Sequence, residues 1–529
     1  MNQIDRLAEE ARKGRMTRRD FMHFSIAAGL AATTASGLWT QAAAAQAKKG
    51  GIFKYATHDS NTGDSHDPAT WNSRQTIFLG PTYRSYLTQV NADGTLGPDL
   101  AVSWEANKDA TEWTFKLHPK ASFHSGKPVI ADDVIASINH HIGEKSTSGA
   151  KAVLSPIKEV TKDGDHTVVF KLTSGSADMP WVMTDYHIAI CPANSDGSLN
   201  WQSGDGSGPY KLKENEWGVR QSLVRHEGWH GTGAYFDGVE QISINDPNAR
   251  QTAIVTGDVD AVSVIEAKAM GMLKRDQNII IENVPSGQTV TYPMHCDTEP
   301  FKNRDVRNAL KLSINRKELV EKIAFGTATI GNDFHISPVQ PYWPSDIPQR
   351  EYDPDQAKSL LKKAGAEGLT VSLSTCDSIG TGAVDAAVLF AENAKRAGIN
   401  IKVVREPNDG YYANVWLKKP FVMCNWGARP TPDMMFTTAY AAGAPWNESR
   451  WQNERFNTLL AQAKAELNEK LRAEQYHEMA MIARDDGGTI LPMFYNFVYA
   501  RRSNLQRGDK IGASWELDGG RASSRWWMA

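Results

Sequence analysis

The sequence has few cysteines, and beyond its first 47 residues it contains no long apolar run. Only four of the 529 residues are cysteine, and their wide spacing lacks the C-x-x-C pattern of a zinc or redox site. No segment after residue 47 is apolar over a length that crosses a bilayer. The formal net charge of −3 lacks the basic surplus of nucleic-acid-binding proteins. These absences argue against a zinc-ribbon protein, a membrane-spanning protein and a nucleic-acid partner.

The first segment predicts export. A paired arginine in TRRDFMH (17–23) precedes the weakly apolar run FSIAAGLAATTASGLW, and Ala45-Gln46-Ala47 then supplies a small-residue cleavage site. This order is typical of a twin-arginine signal peptide, here residues 1–47, with cleavage after Ala47. We therefore expect a periplasmic, soluble mature protein that the twin-arginine translocase exports. That compartment permits disulfides, but spacing does not fix any pairing among Cys191, Cys296, Cys376 and Cys424.

Helix and strand patterns alternate along the rest of the chain. In TEWTFKLHP (111–119) the apolar residues Trp113, Phe115 and Leu117 share one face, as in a strand. Residues 369–376, 383–398 and 399–406 are patterned as strand, helix and strand, which predicts a βαβ unit with a parallel strand pair. The pattern indicates a mixed α/β fold.

One segment carries a catalytic motif. HEGWH (226–230) matches the H-E-x-x-H pattern, in which two histidines on one helix face bind zinc beside a glutamate. Gly228 weakens the helix that this chemistry needs, and the preceding residues are patterned as a strand. We interpret the match as chance and keep a secreted zinc hydrolase using His226 and His230 as an alternative. GDGSGPY (204–210) lacks the G-K-[ST] ending of a phosphate loop, so it predicts a tight turn.

Four segments, in order along the chain, resemble one family. They are PDLAVSWEANKDATEWTFKLHPKASFHSGKPVIADDVIASI (98–138), GSGPYKL (206–212), VRHEGWHGTGAYFDGVE (224–240) and PFKNRDVRNALKLSINRKELV (300–320). The chain is similar to the extracytoplasmic solute-binding proteins of peptide-type ABC transporters, which include dipeptide-, oligopeptide- and nickel-binding members. The third segment also accounts for the zinc-like motif.

The resemblance implies a two-lobed periplasmic-binding-protein fold of type II with an inserted small domain. The implied boundaries are 48–98, 205–294 and 489–529 for a discontinuous lobe I, 99–204 for the inserted domain and 295–488 for lobe II. Solute would bind between lobes that close by hinge motion, and would pass to an ABC permease with its ATPase subunits. The resemblance implies no catalytic residue and no cofactor. A metal-chelate or haem carrier is the alternative within the family.

Arg429 departs from the family's pattern. Peptide-binding members commonly read G-W-x-x-D where this chain has NWGARPTPD (425–433), and their aspartate grips the α-ammonium of the ligand. The equivalent position here is Arg429, whose planar guanidinium favours a carboxylate or phosphate. Asp433 either supplies the ammonium contact or pairs with Arg429. The resemblance thus implies a small organic solute with an anionic group, such as a modified peptide, an amino-acid conjugate or an opine-like compound.

Other candidate ligand contacts surround this position in the resemblance. Trp426 would form an apolar wall of the cleft or pack in the core of lobe II, and Gly427 is a further candidate ligand contact. Tyr440 and Trp446 would either line the cleft or pack beneath it. From the other lobe, His58 and Asp59 would contribute contacts or would serve only as turn residues.

Overall fold

The computed structural model describes residues 49–144, 146–380 and 382–529, together with the isolated positions Leu7 and Ala47. The predicted twin-arginine signal therefore lies outside the described residues. No helix in the described part of the chain is both long enough and apolar enough to cross a membrane. All four cysteines have free thiols, so no disulfide pairs them.

The strands are numbered in chain order. They are β1 Ile52–Thr57, β2 Thr88–Val90, β3 Leu96–Pro98, β4 Ala101–Ala106, β5 Glu112–Leu117, β6 Ile157–Lys162, β7 Thr167–Leu172, β8 Tyr210–Glu216, β9 Arg220–Arg225, β10 Gly238–Ser243, β11 Ala261–Val262, β12 Ile279–Pro293, β13 Ala328–Ile330, β14 Thr370–Thr375, β15 Asn400–Arg405, β16 Cys424–Trp426, β17 Thr489–Arg502, β18 Leu505–Gln506 and β19 Trp527–Met528.

The longer helices are numbered in the same way. They are α1 Arg74–Tyr83, α2 Ala131–Ile142, α3 Pro247–Thr256, α4 Arg304–Leu312, α5 Arg316–Lys322, α6 Pro354–Lys363, α7 Ala383–Lys395, α8 Pro432–Ala439, α9 Glu454–Ala465 and α10 Glu469–Asp486. Short helical turns cover Lys151–Leu154, Met179–Val182, Met270–Leu273, Tyr411–Asn414 and Ala522–Arg525.

The largest sheet joins distant parts of the chain. Its strand order is β16-β12-β17-β11-β1-β10-β9-β8, with β13 pairing onto β17. The long antiparallel ribbon of β12 and β17 lies next to the β16 edge. The run TILPMFYNFVYARR forms β17, because its β-branched and aromatic residues suit a buried sheet position.

The β12–β17 ribbon is shared by three hydrophobic cores. Val284 packs with Tyr499 in one core, whereas Val290 packs with Met493 in another. Between them the pairing register shifts, from Val284 to Gln288, so the ribbon carries an irregularity where the core changes. The two halves of the fold are thus held together by continuous strands.

A separate small layer forms around the antiparallel sheet β4-β5-β7-β6. Its core contains the predicted strand face, Trp113, Phe115 and Leu117, packed against Val134 and Ile138 of α2. This layer falls within the segment predicted as the inserted domain. The residue boundaries predicted for that domain and for the two lobes stay a prediction.

The predicted βαβ unit is confirmed. β14 and β15 pair in parallel, and α7 connects them. Ala386, Ala387 and Phe390 on α7 are buried against this pair, which explains why the helix carries an alanine-rich face. The mixed α/β class predicted from the sequence is also confirmed.

The GSGPY turn packs closely against the end of α1. The amide of Gly208 donates to the carbonyl oxygen of Tyr83 at 3.1 Å. A Cβ atom added at Gly206 would lie 1.9 Å from that carbonyl oxygen. Glycine is required here because no side chain fits between the two backbones. The segment is a structural turn, as predicted.

We expect Gly206→Ala to destabilise the protein by at least about 2 kcal/mol, because the added methyl group forces the turn away from Tyr83. Equilibrium unfolding in urea measures the change. Gly63→Ala is the matched control, since no atom lies within 4 Å of the added Cβ there. Equal stability of the two variants would contradict this account of the turn.

Candidate functional site

Arg429 lies on a stiff loop at the edge of the main sheet. The loop follows β16, the edge strand, and ends at Thr431, whose side chain caps α8 by accepting from the amide of Met434. Pro432 occupies the first turn of that helix, a position where its missing N–H costs nothing. Gln340 donates from Nε2 to the carbonyl oxygen of Arg429 at 2.7 Å. These contacts hold the loop in place.

The guanidinium of Arg429 is half-buried and lacks a strong partner. Its Nη1 donates weakly to the carbonyl oxygens of Gly427 at 3.4 Å and Ala428 at 3.3 Å. Among the described residues no carboxylate lies within ion-pair distance of it. Burial lowers the pKa of Arg429, while the nearby carboxylate of Asp185 and the Tyr186 hydroxyl oppose this shift. An arginine nevertheless stays charged at neutral pH, so the site holds an unmatched positive charge.

Asp433 does not neutralise Arg429. No ion pair joins these two side chains within the described ranges, and Asp433 is instead buried close to Asp178, Lys464 and Arg472. Burial and the Asp178 carboxylate raise the pKa of Asp433 to about 7. The salt-bridge alternative from the sequence is therefore wrong for this structure, and the role of Asp433 as a ligand contact stays a prediction.

Aromatic rings extend from Trp426 to an exposed surface. The Trp426 ring is buried and lies 6.0 Å from the Trp446 ring, which is 46% exposed. Trp446 in turn lies 5.9 Å from Trp416, and Trp416 lies 5.9 Å from Tyr412. We name Tyr412, Trp416, Trp426 and Trp446 the aromatic shelf. Sequence reasoning missed Tyr412 and Trp416, because they follow no motif.

Tyr440 packs beneath the loop and does not line its surface. It is 2% exposed, and His335 Nδ1 lies 2.6 Å from its hydroxyl. The His335 ring also lies 6.0 Å from Trp426, which places it behind the aromatic shelf. Burial and the charge of Arg429 lower the pKa of His335 to about 3, so its imidazole is neutral. Of the two alternatives for Tyr440, lining the cleft or packing beneath it, the structure shows the second.

A second wall faces Arg429 from other parts of the chain. Tyr186 packs edge-to-face on Trp515 with ring centroids 5.6 Å apart, and the guanidinium of Arg74 lies 4.7 Å from the Trp515 ring centre. Arg74 forms an ion pair with Glu516 at 3.1 Å. Burial and Asp185 raise the pKa of Tyr186 to about 12, whereas Arg74 and Arg429 pull it down. Both arginines therefore act electrostatically on this wall.

His58 and Asp59 lie on the Arg74 side of the site. His58 Nδ1 is 2.7 Å from the Ser263 hydroxyl, and burial together with the charges of Arg74 and Arg250 lowers its pKa to about 3. The Asp59 carboxylate accepts from the backbone amide of Arg74 at 3.4 Å. Asp59 therefore helps to position Arg74. Direct contact with a ligand stays a prediction for both His58 and Asp59.

The zinc-hydrolase interpretation is wrong. Glu227 lies in a turn, so His226 and His230 do not share a helix face. His226 Nδ1 lies 3.3 Å from the Gly208 carbonyl, and His230 Nε2 lies 3.1 Å from Asp99 Oδ1. The described residues contain no group of three or more histidine, cysteine or carboxylate side chains able to hold a metal ion. The metal-carrier alternative thus has no ligand cluster in its favour.

The Arg429 loop with its aromatic shelf packs on one core, and the Tyr186–Trp515 wall packs on another. A guanidinium without an ion-pair partner and exposed aromatic rings between two such walls are typical of a binding protein for small solutes. Residues 95–448 match the family described as bacterial extracellular solute-binding proteins, family 5. The chain belongs to that family, which confirms the resemblance inferred from its sequence.

Individual relatives are distant but cover nearly the whole chain. The probable D,D-dipeptide-binding periplasmic protein DdpA of Escherichia coli is 24% identical over 468 residues, covering 84% of this chain and 90% of that protein. The structure of HbpA2 from Haemophilus parasuis has a TM-score of 0.78 at 19% identity, covering 86% of this chain and 96% of the other. AgaA from A. tumefaciens R10, in complex with agropinic acid, has a TM-score of 0.69 at 20% identity, with 90% and 99% covered. These likenesses confirm the predicted two-lobed fold class.

Tyr440→Phe tests whether this residue belongs to the core. We expect a loss of about 1–3 kcal/mol in unfolding free energy, because the buried His335 loses its only described partner at Nδ1. Solute affinity should not change. Urea unfolding and calorimetry measure the two quantities. Tyr412→Phe, at a ring that is 43% exposed, is the control and should cost less than about 0.5 kcal/mol. Lost solute binding in Tyr440→Phe with unchanged stability would refute this placement.

Proposed function

We propose that the protein is the periplasmic binding component of an ABC importer and that its solute carries an anionic group. The solute binds between the Arg429 loop and the Tyr186–Trp515 wall and passes unchanged to a membrane permease driven by ATPase subunits. The observation that carries this proposal is the half-buried guanidinium of Arg429, which has no carboxylate within ion-pair distance among the described residues.

The charge balance around the site favours an anion. Arg74 is already paired with Glu516. His58 and His335 have pKa values of about 3, so neither carries charge at neutral pH. Arg429 is left as the cation of the two walls that has no ion-pair partner among the described residues, and its planar guanidinium can donate two parallel hydrogen bonds to a carboxylate or phosphate. In a cleft emptied of water such a pair is strong, and an ammonium group is repelled.

Asp185 is the group best placed to bind a positive end of the solute. Its carboxylate lies on the wall opposite Arg429 and affects the arginine's pKa electrostatically. The Asp185 side chain is 22% exposed, and its Oδ1 accepts from the backbone amide of His187 at 2.9 Å. A zwitterion with its carboxylate on Arg429 and its ammonium on Asp185 fits this arrangement. Asp185 takes the role that the sequence suggested for Asp433.

The aromatic shelf suits an apolar part of the solute. Trp446 and Tyr412 are both nearly half exposed and are supported from behind by Trp416 and Trp426. Flat aromatic faces accept apolar and planar groups with little geometric demand. Together these features favour peptides, modified peptides or opine-like conjugates. DdpA is described as a D,D-dipeptide-binding protein, and AgaA was solved with agropinic acid, which supports this range of solutes.

The export route and the domain boundaries complete the proposal. Residues 1–47 act as a twin-arginine signal that is cleaved after Ala47, and the twin-arginine translocase carries the chain to the periplasm. The two lobes move about the point where the β12–β17 ribbon changes register, near residues 285–287, because the packing changes core there. The proposed hinge lies before the lobe boundary that the sequence predicts at 294/295.

Arg429→Gln tests the anion requirement with a panel of short peptides, each with a free or an amidated C-terminus, and with agropinic acid. We expect the native protein to prefer free acids, and the variant to bind them about 10- to 100-fold more weakly, because a hydrogen bond to a charged group is lost. Isothermal calorimetry measures the affinities.

The matched control is Arg450→Gln, an exposed arginine paired with Asp297, which should bind as the native protein does. Equal affinity of Arg429→Gln and native protein for the free acids would remove Arg429 from the site. Native mass spectrometry of protein taken directly from the periplasm identifies the natural solute.

A further inference from the structure

Asp178 joins two separately packed parts of the molecule. It precedes the helical turn Met179–Val182, whose Met179 and Val182 lie in the small core around the β4–β7 sheet. Its partners are Thr431, which caps α8, and Arg472 of α10. Phe436 and Tyr476 on these two helices belong to a different core. The contact therefore bridges two bodies whose hydrophobic cores are separate.

The bridging contact is polar and almost fully buried. Arg472 Nη2 lies 2.6 Å from Asp178 Oδ1, and the two side chains are only 3% and 2% exposed. The Thr431 hydroxyl donates to Asp178 Oδ2. The amide of Ala177 donates to the carbonyl oxygen of Lys464 at 2.8 Å. Because Thr431 ends the Arg429 loop, this contact is directly connected to the candidate site.

A second carboxylate shares this site. Asp433 is buried, and its Oδ1 has no hydrogen-bond partner among the described residues. The charged and titratable groups around it are Asp178, Arg472 and Tyr476, Lys464 at the end of α9, and Tyr342, whose ring lies under the Arg472 guanidinium. The pKa values of both tyrosines are raised, so they are neutral. Two carboxylates thus share the electrostatic influence of the Lys464 ammonium and the buried Arg472 guanidinium.

We propose that the Asp178–Asp433 pair is a proton-controlled latch between the two bodies. With Asp433 protonated, the Asp178–Arg472 ion pair holds the bodies together. When Asp433 ionises, a second negative charge, with no hydrogen-bond partner at Oδ1 among the described residues, destabilises the contact and favours separation. The latch goes beyond the proposed function, and only its coupling to solute affinity rests on that function.

The direction of the pH dependence follows from the pKa of Asp433 in the joined and in the separated state. In the joined state burial and Asp178 raise its pKa to about 7, while a separated, hydrated Asp433 returns toward 3.8. The joined state therefore binds the proton more tightly, and it is most favoured below about pH 4. The ratio of joined to separated molecules falls as the pH rises from about 4 to about 7, by at most about tenfold per pH unit. Above about pH 7 the ratio changes little.

Small-angle scattering on the ligand-free protein from pH 4 to pH 8 tests the latch. We expect the radius of gyration to increase across the acidic range for the native chain and to stay at its low-pH value in Asp433→Asn, which mimics the protonated acid. Asp355→Asn, at a side chain that is 91% exposed, is the control and should keep the native profile.

A constant radius of gyration in the native protein overturns the proposal, and so does an unchanged pH profile in Asp433→Asn. Circular dichroism at each pH confirms that the variants are folded, and Asp433→Ser serves as a second neutral variant if the asparagine form does not fold. The scattering experiment requires no solute. Its result therefore remains a valid test of the latch even if the peptide panel shows that the proposed ligand chemistry is wrong.

Discussion

The pairing of β12 with β17 is the constraint on which the rest of the molecule depends. Both strands contribute to three hydrophobic cores, so neither half of the fold is complete without the other. The pairing is interrupted by a register shift between Val284 and Gln288, the point proposed above as the hinge. The ribbon positions β16, and with it the Arg429 loop, opposite the Tyr186–Trp515 wall.

Selectivity in such a site depends on the charged side chains that have no ion-pair partner within the protein. Most buried charges of this chain are matched, as Arg316 and Arg350 are by Asp333. A matched group avoids the cost of an uncompensated buried charge, but it has no capacity left for a ligand. Arg429 differs because its contacts are two long hydrogen bonds to its own loop. A bound anion replaces these weak contacts, so the guanidinium is desolvated in advance and its geometry is already set.

The sequence predicts the local elements well and the site only in part. Periodicity located β5 and the parallel pair β14–β15 with its connecting helix α7, because each obeys a local repeat. The resemblance led to Arg429 and Trp426. It could not find Arg74, Tyr186 or Trp515, since the wall is assembled from segments up to 442 residues apart in the chain. It also left open whether Tyr440 lined the cleft, because burial in an irregular loop follows no repeat.

The two neutral histidines add no charge to the binding site. His58 and His335 both have pKa values of about 3, so neither gains a proton under mildly acidic conditions. A solute therefore meets two uncharged imidazoles at these positions as the surroundings acidify, and neither histidine adds a cation beside the arginines.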